Sequence, residues 1–402
     1  MESTVKKAPA KAKKPKNPDR IKFLDFSGRI DIPMLLITLV LLAFGITMMF
    51  SAGYALSLRD NNDAYAYAKK QMFAAALGLG VMFLAAMFDY RLLRKELRIF
   101  GHTFTIAHIV LAVTLFLTAL VIPLGVSNIV GGPRRWLRVP VIGTFQPSDL
   151  LKIGLIIFLA YYIHKYSDKM RLFRYGMGKP LILFAVVAVL MMVQPHLSGL
   201  LIMTAVCGLM LFIGGMNWKP IVLVLLLVAG VVGILLLVSD YSYFFDRFAN
   251  TFTPEADKQN TTYQSYQAVL AVGSGGLWGV GFGNSTQKFG ALPEAQNDFV
   301  YAILCEELGF VGGITVIILF LIFVVRGFAV ARHAEDKFGL MLATGITLHI
   351  GIQALLNIGV NVCCVPNTGI SLPFFSYGGT ALVVQLAEVG LLLSVSKRSN
   401  LN

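Results

Sequence analysis

Ten apolar stretches constrain this chain more than any other feature. They lie near residues 31–53, 71–88, 102–124, 148–164, 180–194, 198–215, 220–238, 298–325, 338–361 and 379–395. A helix needs ~20 apolar residues to cross the hydrocarbon core of a bilayer. In that core only helices and closed barrels satisfy their own backbone hydrogen bonds. Some of the stretches are marginal in length. With 56% of residues hydrophobic and 14% charged, they nevertheless exclude a soluble enzyme. They predict an all-α polytopic membrane protein with about ten transmembrane helices. The fifth stretch is short and ends in Gln194-Pro195, which predicts an irregular end there.

An even number of spans returns both termini to one side. With the termini inside, the inner segments carry 24 Lys and Arg and the outer loops 9. The positive-inside rule therefore predicts that both ends are cytoplasmic. Residues 1–30 are basic, broken by Pro and poor in apolar groups. They read as a disordered cytoplasmic tail drawn to anionic lipid, so the net charge of +13 needs no nucleic-acid partner. The first apolar run follows this tail and reads as an anchor, not a cleaved signal. Residues 31–398 then form one transmembrane domain with no soluble domain. Its longest connection, 239–297, is expected to be a large extracytoplasmic loop between spans seven and eight. That loop begins with aromatics, turns polar and ends rich in glycine (GSGGLWGVGFGN). Cys207, Cys305, Cys363 and Cys364 have neither metal-site nor disulfide spacing.

Ionisable groups in a bilayer are costly and usually face a cavity or a partner. Asp298 stands at the start of the eighth span, with Glu306 and Glu307 deeper. A helix cap is the plain reading of Asp298, and an ion pair with a neighbouring helix that of the two glutamates. Asp149 and Lys152, three apart at the start of span four, share a helix face. They either neutralise each other or leave the lysine for a phosphate. His349, Gln353, Asn357 and Asn361 recur every four residues, as interhelical glue or as the wall of a polar cavity, and Gln385 and Glu388 of span ten could join either. Arg134, Arg135 and Arg138 cluster around Trp136 on the expected outer side. They are ordinary interfacial anchors or recognise an anion. The glycine run 273–283 lacks the Lys-Ser/Thr ending of a nucleotide loop. It makes either an anion-binding nest or re-entrant backbone.

Four segments carry a family resemblance. They are GNSTQKFGALPEAQNDFVYAILCEELGF, NTGISLPFFSYGGTALVVQLAEVGLLLSV, GGPRRWLRVPVIGTFQPSDLLKIGLIIFLAYYI and QPHLSG. They resemble, in order from about residue 31 to 398, the SEDS family of shape, elongation, division and sporulation proteins, and more the FtsW and SpoVE branch than RodA. The resemblance implies a peptidoglycan glycosyltransferase that polymerises lipid II at the outer face of the bacterial cytoplasmic membrane. It implies a class B penicillin-binding protein as crosslinking partner, in division or sporulation. It places the family's essential aspartate on Asp298, and its conserved Gln-Pro-Ser-Glu and lysine on Gln146, Pro147, Ser148, Asp149 and Lys152. This chain has Asp149 where Glu is usual, and His196 where many members have Asp. On this reading Asp298 is the catalytic base. Lys152, Arg134, Arg135 and Asp149 bind the diphosphate, and Gln353, Asn357, Asn361 and Glu306 line the cavity. No motif demands a cofactor or metal, although a divalent cation (Mg or Mn) could help hold the diphosphate. A lipid II flippase and a non-catalytic scaffold for a transpeptidase are the alternatives.

Overall fold

The computed structural model describes residues 23–24, 28–99, 102–127, 134–139, 143–217, 263–367 and 369–399. Ten helices run through them: α1 (Ile32–Asn61), α2 (Ala66–Met87), α3 (Ile106–Leu124), α4 (Pro147–Lys165), α5 (Lys179–Val193), α6 (Leu197–Ile213), α7 (Tyr263–Ser274), α8 (Val300–Arg332), α9 (Lys337–Asn361) and α10 (Gly379–Ser396). Eight of the spanning segments are long and apolar enough to cross a membrane, α5 with the turn that precedes it, while α6 has 17 residues. The expected seventh span, 220–238, lies outside the described residues, as does the loop from 239 to 262. Two short antiparallel hairpins complete the fold. One joins β1 (Glu96–Ile99) to β2 (His102–Thr105) and the other joins β3 (Leu137–Val139) to β4 (Gly143–Phe145).

Helix limits follow local chemistry more than hydropathy. Helix α1 continues about two turns past the apolar run, to Asn61, because neither Gly nor Pro interrupts residues 54–61. Asn62, in the left-handed region, then ends it by donating its amide to the Leu58 carbonyl. Helix α3 starts four residues later than its hydropathy suggests, because His102–Thr105 pairs with Glu96–Ile99 as a strand. Helix α4 starts with Pro147 in its first turn, where the missing N–H costs nothing.

Burial separates an inner layer from an outer one. In the apolar window of α4, 78% of residues are buried, and in those of α9 and α10 67%. The windows of the remaining spanning helices are 28–39% buried, so these helices turn most of their surface outward. Helices α2 and α10 lie closest together. Gly390 allows this, because a Cβ there would collide with the Met82 backbone. Small residues at such crossings are how helices pack where lipid removes the hydrophobic drive.

Ion pairs mark the end of the bundle where the termini meet. Asp31, ahead of α1, pairs with Arg326 of α8 at 2.6 Å and receives Met34 N. Asp89 binds Arg91 at 3.0 Å and Arg398 at 3.3 Å, and Arg94 pairs with Asp336 at 2.7 Å. This is the terminal end. The loops that carry the conspicuous motifs lie at the other end.

Candidate active site

Asp298 lies two residues before α8, with a half-buried side chain. Its position is held through its backbone. The Asp298 carbonyl accepts from Asn357 Nδ2 at 2.8 Å and from Asn361 Nδ2 at 3.0 Å. Asn361 Oδ1 in turn accepts the first-turn Ala302 amide at 3.0 Å, an amide shared with the Phe299 carbonyl at 3.1 Å. Asn361 therefore caps α8, and Asn357 and Asn361 together hold the backbone of Asp298. Asn357 Nδ2 also donates to Ile370 O (2.7 Å), and Gln353 Nε2 to Ser371 O (3.0 Å). These bonds bring the loop before α10 over the site. Gly369 comes so close that a Cβ on it would stand 3.4 Å from Asp298 Oδ2. The same loop is fixed from behind by Gln71 of α2, Gln385 of α10 and the Gln296 carbonyl.

The stripe on α9 is thus committed to backbone groups. Gln353, Asn357 and Asn361 hold two loops through their amide nitrogens, and Gln353 Oε1 is left without a partner. His349, the fourth member, binds Glu388 of α10 at 2.9 Å between two buried side chains. Glu306 is likewise hydrogen-bonded within the protein. It is buried and accepts from Ser285 Oγ, Thr286 N (2.9 Å) and Thr286 Oγ1 (3.0 Å). Glu307 pairs with Lys288 at 2.8 Å and accepts from Ser51 of α1. Both glutamates tie residues 285–288, just after the glycine run, to α8.

Helix α8 is broken at Gly309 (φ 67°, ψ −165°). A break inside a membrane leaves amides and carbonyls to be satisfied, and the glycine run supplies the partners. Val280 N and Gly281 N donate to the Glu306 and Glu307 carbonyls, each at 3.0 Å. Phe310 N and Val311 N donate to the Gly276 and Leu277 carbonyls at 2.8 and 3.2 Å. The run is structural backbone packed into a helix break. Only glycine fits at 279 and 309, where positive φ coincides with contact between the two backbones.

The cations come from the other side. Lys152 Nζ lies 2.8 Å from Asp149 Oδ1, and both side chains are largely buried. Arg135 donates through Nε to the Gln194 carbonyl (3.3 Å) and through its terminal nitrogen to the Pro195 carbonyl, both in the α5–α6 turn. That turn is pinned by Gln194 Nε2 to Thr118 O of α3, at 2.7 Å. Arg134 is exposed. His196, at the end of the turn, is buried against Gln146, with 3.4 Å between Nε2 atoms. Burial and the charges of Arg135 and Lys152 hold its imidazole down, at about 3, so it is neutral at pH 7. Its Nδ1 has no partner. Burial and the nearby Glu294 push the Asp298 carboxyl up to about 7, while Arg135 pulls it back.

Arg135, Gln146, Asp149, Lys152, His196 and Asp298 therefore gather from three stretches distant in sequence. The bond from Gln146 to His196 was not foreseeable from either motif alone. What fold and site define together is a polytopic membrane protein that presents one tunable carboxylate and several cations at one end of its bundle.

The family model described as cell cycle protein, covering FtsW, RodA and SpoVE, matches residues 32–401. The chain belongs to this family. A probable peptidoglycan glycosyltransferase FtsW from Geobacter metallireducens is 36% identical over 370 residues, covering 92% of this chain and 95% of that protein. Stage V sporulation protein E of Bacillus subtilis is 36% identical over 369 residues, covering 92% and 97%. Among solved structures, a chain of a peptidoglycan synthase complex that coordinates polymerisation and crosslinking superposes with a TM-score of 0.74. It is 26% identical and covers 93% of this chain and 99% of that one. The rod shape determining protein RodA of Thermus thermophilus gives a TM-score of 0.64 at 27% identity, covering 93% and 98%.

Proposed function

We propose that Asp298 is the general base with which this chain acts as a peptidoglycan glycosyltransferase in cell-wall synthesis. The donor is lipid II, a disaccharide on a polyprenyl diphosphate, and the acceptor is a sugar 4-hydroxyl. The donor bond is α and the product bond β-1,4, so the anomeric carbon inverts in one displacement. The acceptor oxygen bonds to that carbon as its bond to the diphosphate breaks. The hydroxyl proton passes to Asp298, and the polyprenyl diphosphate leaves.

The observation that carries this reading is the surroundings of Asp298. A general base works best when its proton affinity lies near the operating pH. Burial and Glu294 bring this carboxyl there, with Arg135 as the opposing charge. Arg135 and Lys152, with Arg134 exposed beside them, are the cations that stabilise the departing diphosphate. Asp149 keeps Lys152 in place, and Asn357 and Asn361 keep Asp298 in place. Among the described residues no group of three His, Cys, Asp or Glu side chains could hold a metal ion. A divalent cation, Mg or Mn, carried by the diphosphate would be held by its oxygens, which are natural ligands for it.

The site end faces outward and the termini lie in the cytoplasm, as the distribution of Lys and Arg supports. The partner is a class B penicillin-binding protein, supported by the similarity to a chain of a synthase complex that couples polymerisation to crosslinking. The test is polymerisation of labelled lipid II by the purified complex. Asp298→Asn should lower the rate by about 10²–10⁴-fold with the partner still bound. Polymerisation at the wild-type rate would remove Asp298 from the chemistry.

A further inference from the structure

The terminal end of the bundle holds a cavity of about 240 Å3 between the last turns of α4 and the start of α5. Arg94, which meets His164 Nε2 at 3.3 Å and Asp336 at 2.7 Å, fixes this part of α4 at that end, remote from Asp298. Phe158 and Leu183 form the apolar side of the cavity, and Tyr161, Lys165, Tyr166 and Lys179 its polar side. The tyrosines form a rigid cage. Tyr166 lies 4.9 Å from Tyr162 and 5.1 Å from Tyr175, ring centre to ring centre, and the Tyr162 hydroxyl donates to the Tyr175 carbonyl at 2.7 Å.

Three ammonium groups share this cage. Lys165 Nζ lies 5.6 Å from the Tyr161 ring centre and 6.0 Å from that of Tyr166. Lys179 Nζ lies 5.2 Å from Tyr166 and 4.7 Å from Tyr175, and Lys169 Nζ 5.6 Å from Tyr175. Lys165 also donates to the Tyr161 hydroxyl at 3.2 Å. Ring faces hold an ammonium only weakly where water reaches it. Lys165 and Lys179 line the same cavity, so an anion seated in it would meet both. The surroundings specify what kind of anion. From the rim of the cavity α5 turns Leu181, Ile182, Val186 and Val189 outward, each well exposed, as a strip of bare hydrocarbon. A cationic, aromatic mouth above an apolar strip matches an amphiphile with a charged head.

We propose that this cavity binds the phosphate headgroup of an anionic glycerophospholipid in the leaflet at the terminal end. Lys165 and Lys179 pair with the phosphate, the tyrosine rings surround the glycerol, and the α5 strip carries the acyl chains. Basic pockets between helices are a common form of lipid recognition. A soluble phosphate would share the headgroup chemistry and make no use of the strip.

Native mass spectrometry of the full-length protein, delipidated and re-equilibrated with phosphatidylcholine containing phosphatidylglycerol, tests the assignment. Phosphatidylglycerol should be retained selectively. Lys165→Gln or Lys179→Gln should each weaken retention about 5-fold and the double variant about 30-fold. Lys165→Arg with Lys179→Arg should keep it, as should Lys69→Gln at the opposite end. Wild-type retention in either single Gln variant, or in a folded double variant, overturns the proposal. Displacement of the lipid by an equal concentration of inorganic phosphate overturns the lipid assignment. Neither readout depends on glycosyl transfer, so this result stands apart from that for Asp298.

Discussion

At the scale of single residues, the environment of Asp298 makes a pH prediction with a definite sign. A base acts in its deprotonated form, so a carboxyl near 7 leaves part of the enzyme inactive at neutral pH. The polymerisation rate should fall about tenfold per unit below that value and level off above it. Glu294 raises the carboxyl, so Glu294→Gln should shift the acid limb to lower pH. Arg135 lowers it, so Arg135→Gln should shift the limb upward and also cost rate. Profiles of kcat/KM against pH for the three proteins check this. Coincident limbs would mean that another group titrates. The two neighbouring arginines should also separate. Arg135 is anchored on the α5–α6 turn and Arg134 is exposed, so Arg135→Ala should slow turnover more than Arg134→Ala. Little of that contrast was legible in sequence, where both are cations beside one tryptophan. What distinguishes them is the pair of carbonyls at Gln194 and Pro195, nearly sixty residues away. Asp298, by contrast, could be singled out, as an acid at the mouth of an apolar span inside a recognisable motif. The stripe of Gln353, Asn357 and Asn361 was visible as a periodicity, but its purpose was not. Spacing places amides on one helix face and cannot reveal that their partners are the backbones of two loops.

At the scale of elements, the break in α8 explains the buried charges that follow Asp298. Glu306 and Glu307 bind the segment that fills the break, and Lys288 completes that attachment through Glu307 and Ser51. Removing one partner of a buried ion pair leaves the other charge uncompensated, which typically costs about 3–5 kcal/mol. Lys288→Met should therefore lower the thermal midpoint sharply in detergent and reduce membrane yield. It should also weaken activity indirectly, because the segment 285–297 leads straight into Asp298. An unchanged midpoint would show that the attachment is not stabilising. The glycine run allowed two readings in sequence, nest or re-entrant backbone. The choice depended on Gly309, thirty residues on, which carries no composition signal inside an otherwise apolar helix. Helices bounded by strong local signals, such as α4 after Pro147, could be placed within a residue. Helix α1 outran its apolar stretch because hydropathy marks where lipid ends, not where a helix must stop.

At the scale of the whole molecule, the two ends of the bundle differ in kind, and the difference gives the fold a direction. The terminal end carries the ion pairs Asp31–Arg326, Asp89–Arg398 and Arg94–Asp336, together with the lysine and tyrosine cage. The site end carries Asp298, Arg135 and the Lys152–Asp149 pair under loops held by side-chain amides. The native cysteines allow this direction to be tested without introducing a new thiol. Cys207 and Cys305 are buried within helices, Cys363 is half-buried, and Cys364 is exposed just beyond the end of α9 at the site end. If that end faces outward, a membrane-impermeant maleimide added to intact cells or spheroplasts should label the wild-type protein. Cys364→Ser should remove most of the label. Labelling that requires permeabilised membranes would invert the orientation and put Asp298 on the cytoplasmic side. It would then be out of reach of an acceptor strand outside the cell, so orientation and chemistry stand or fall on one thiol.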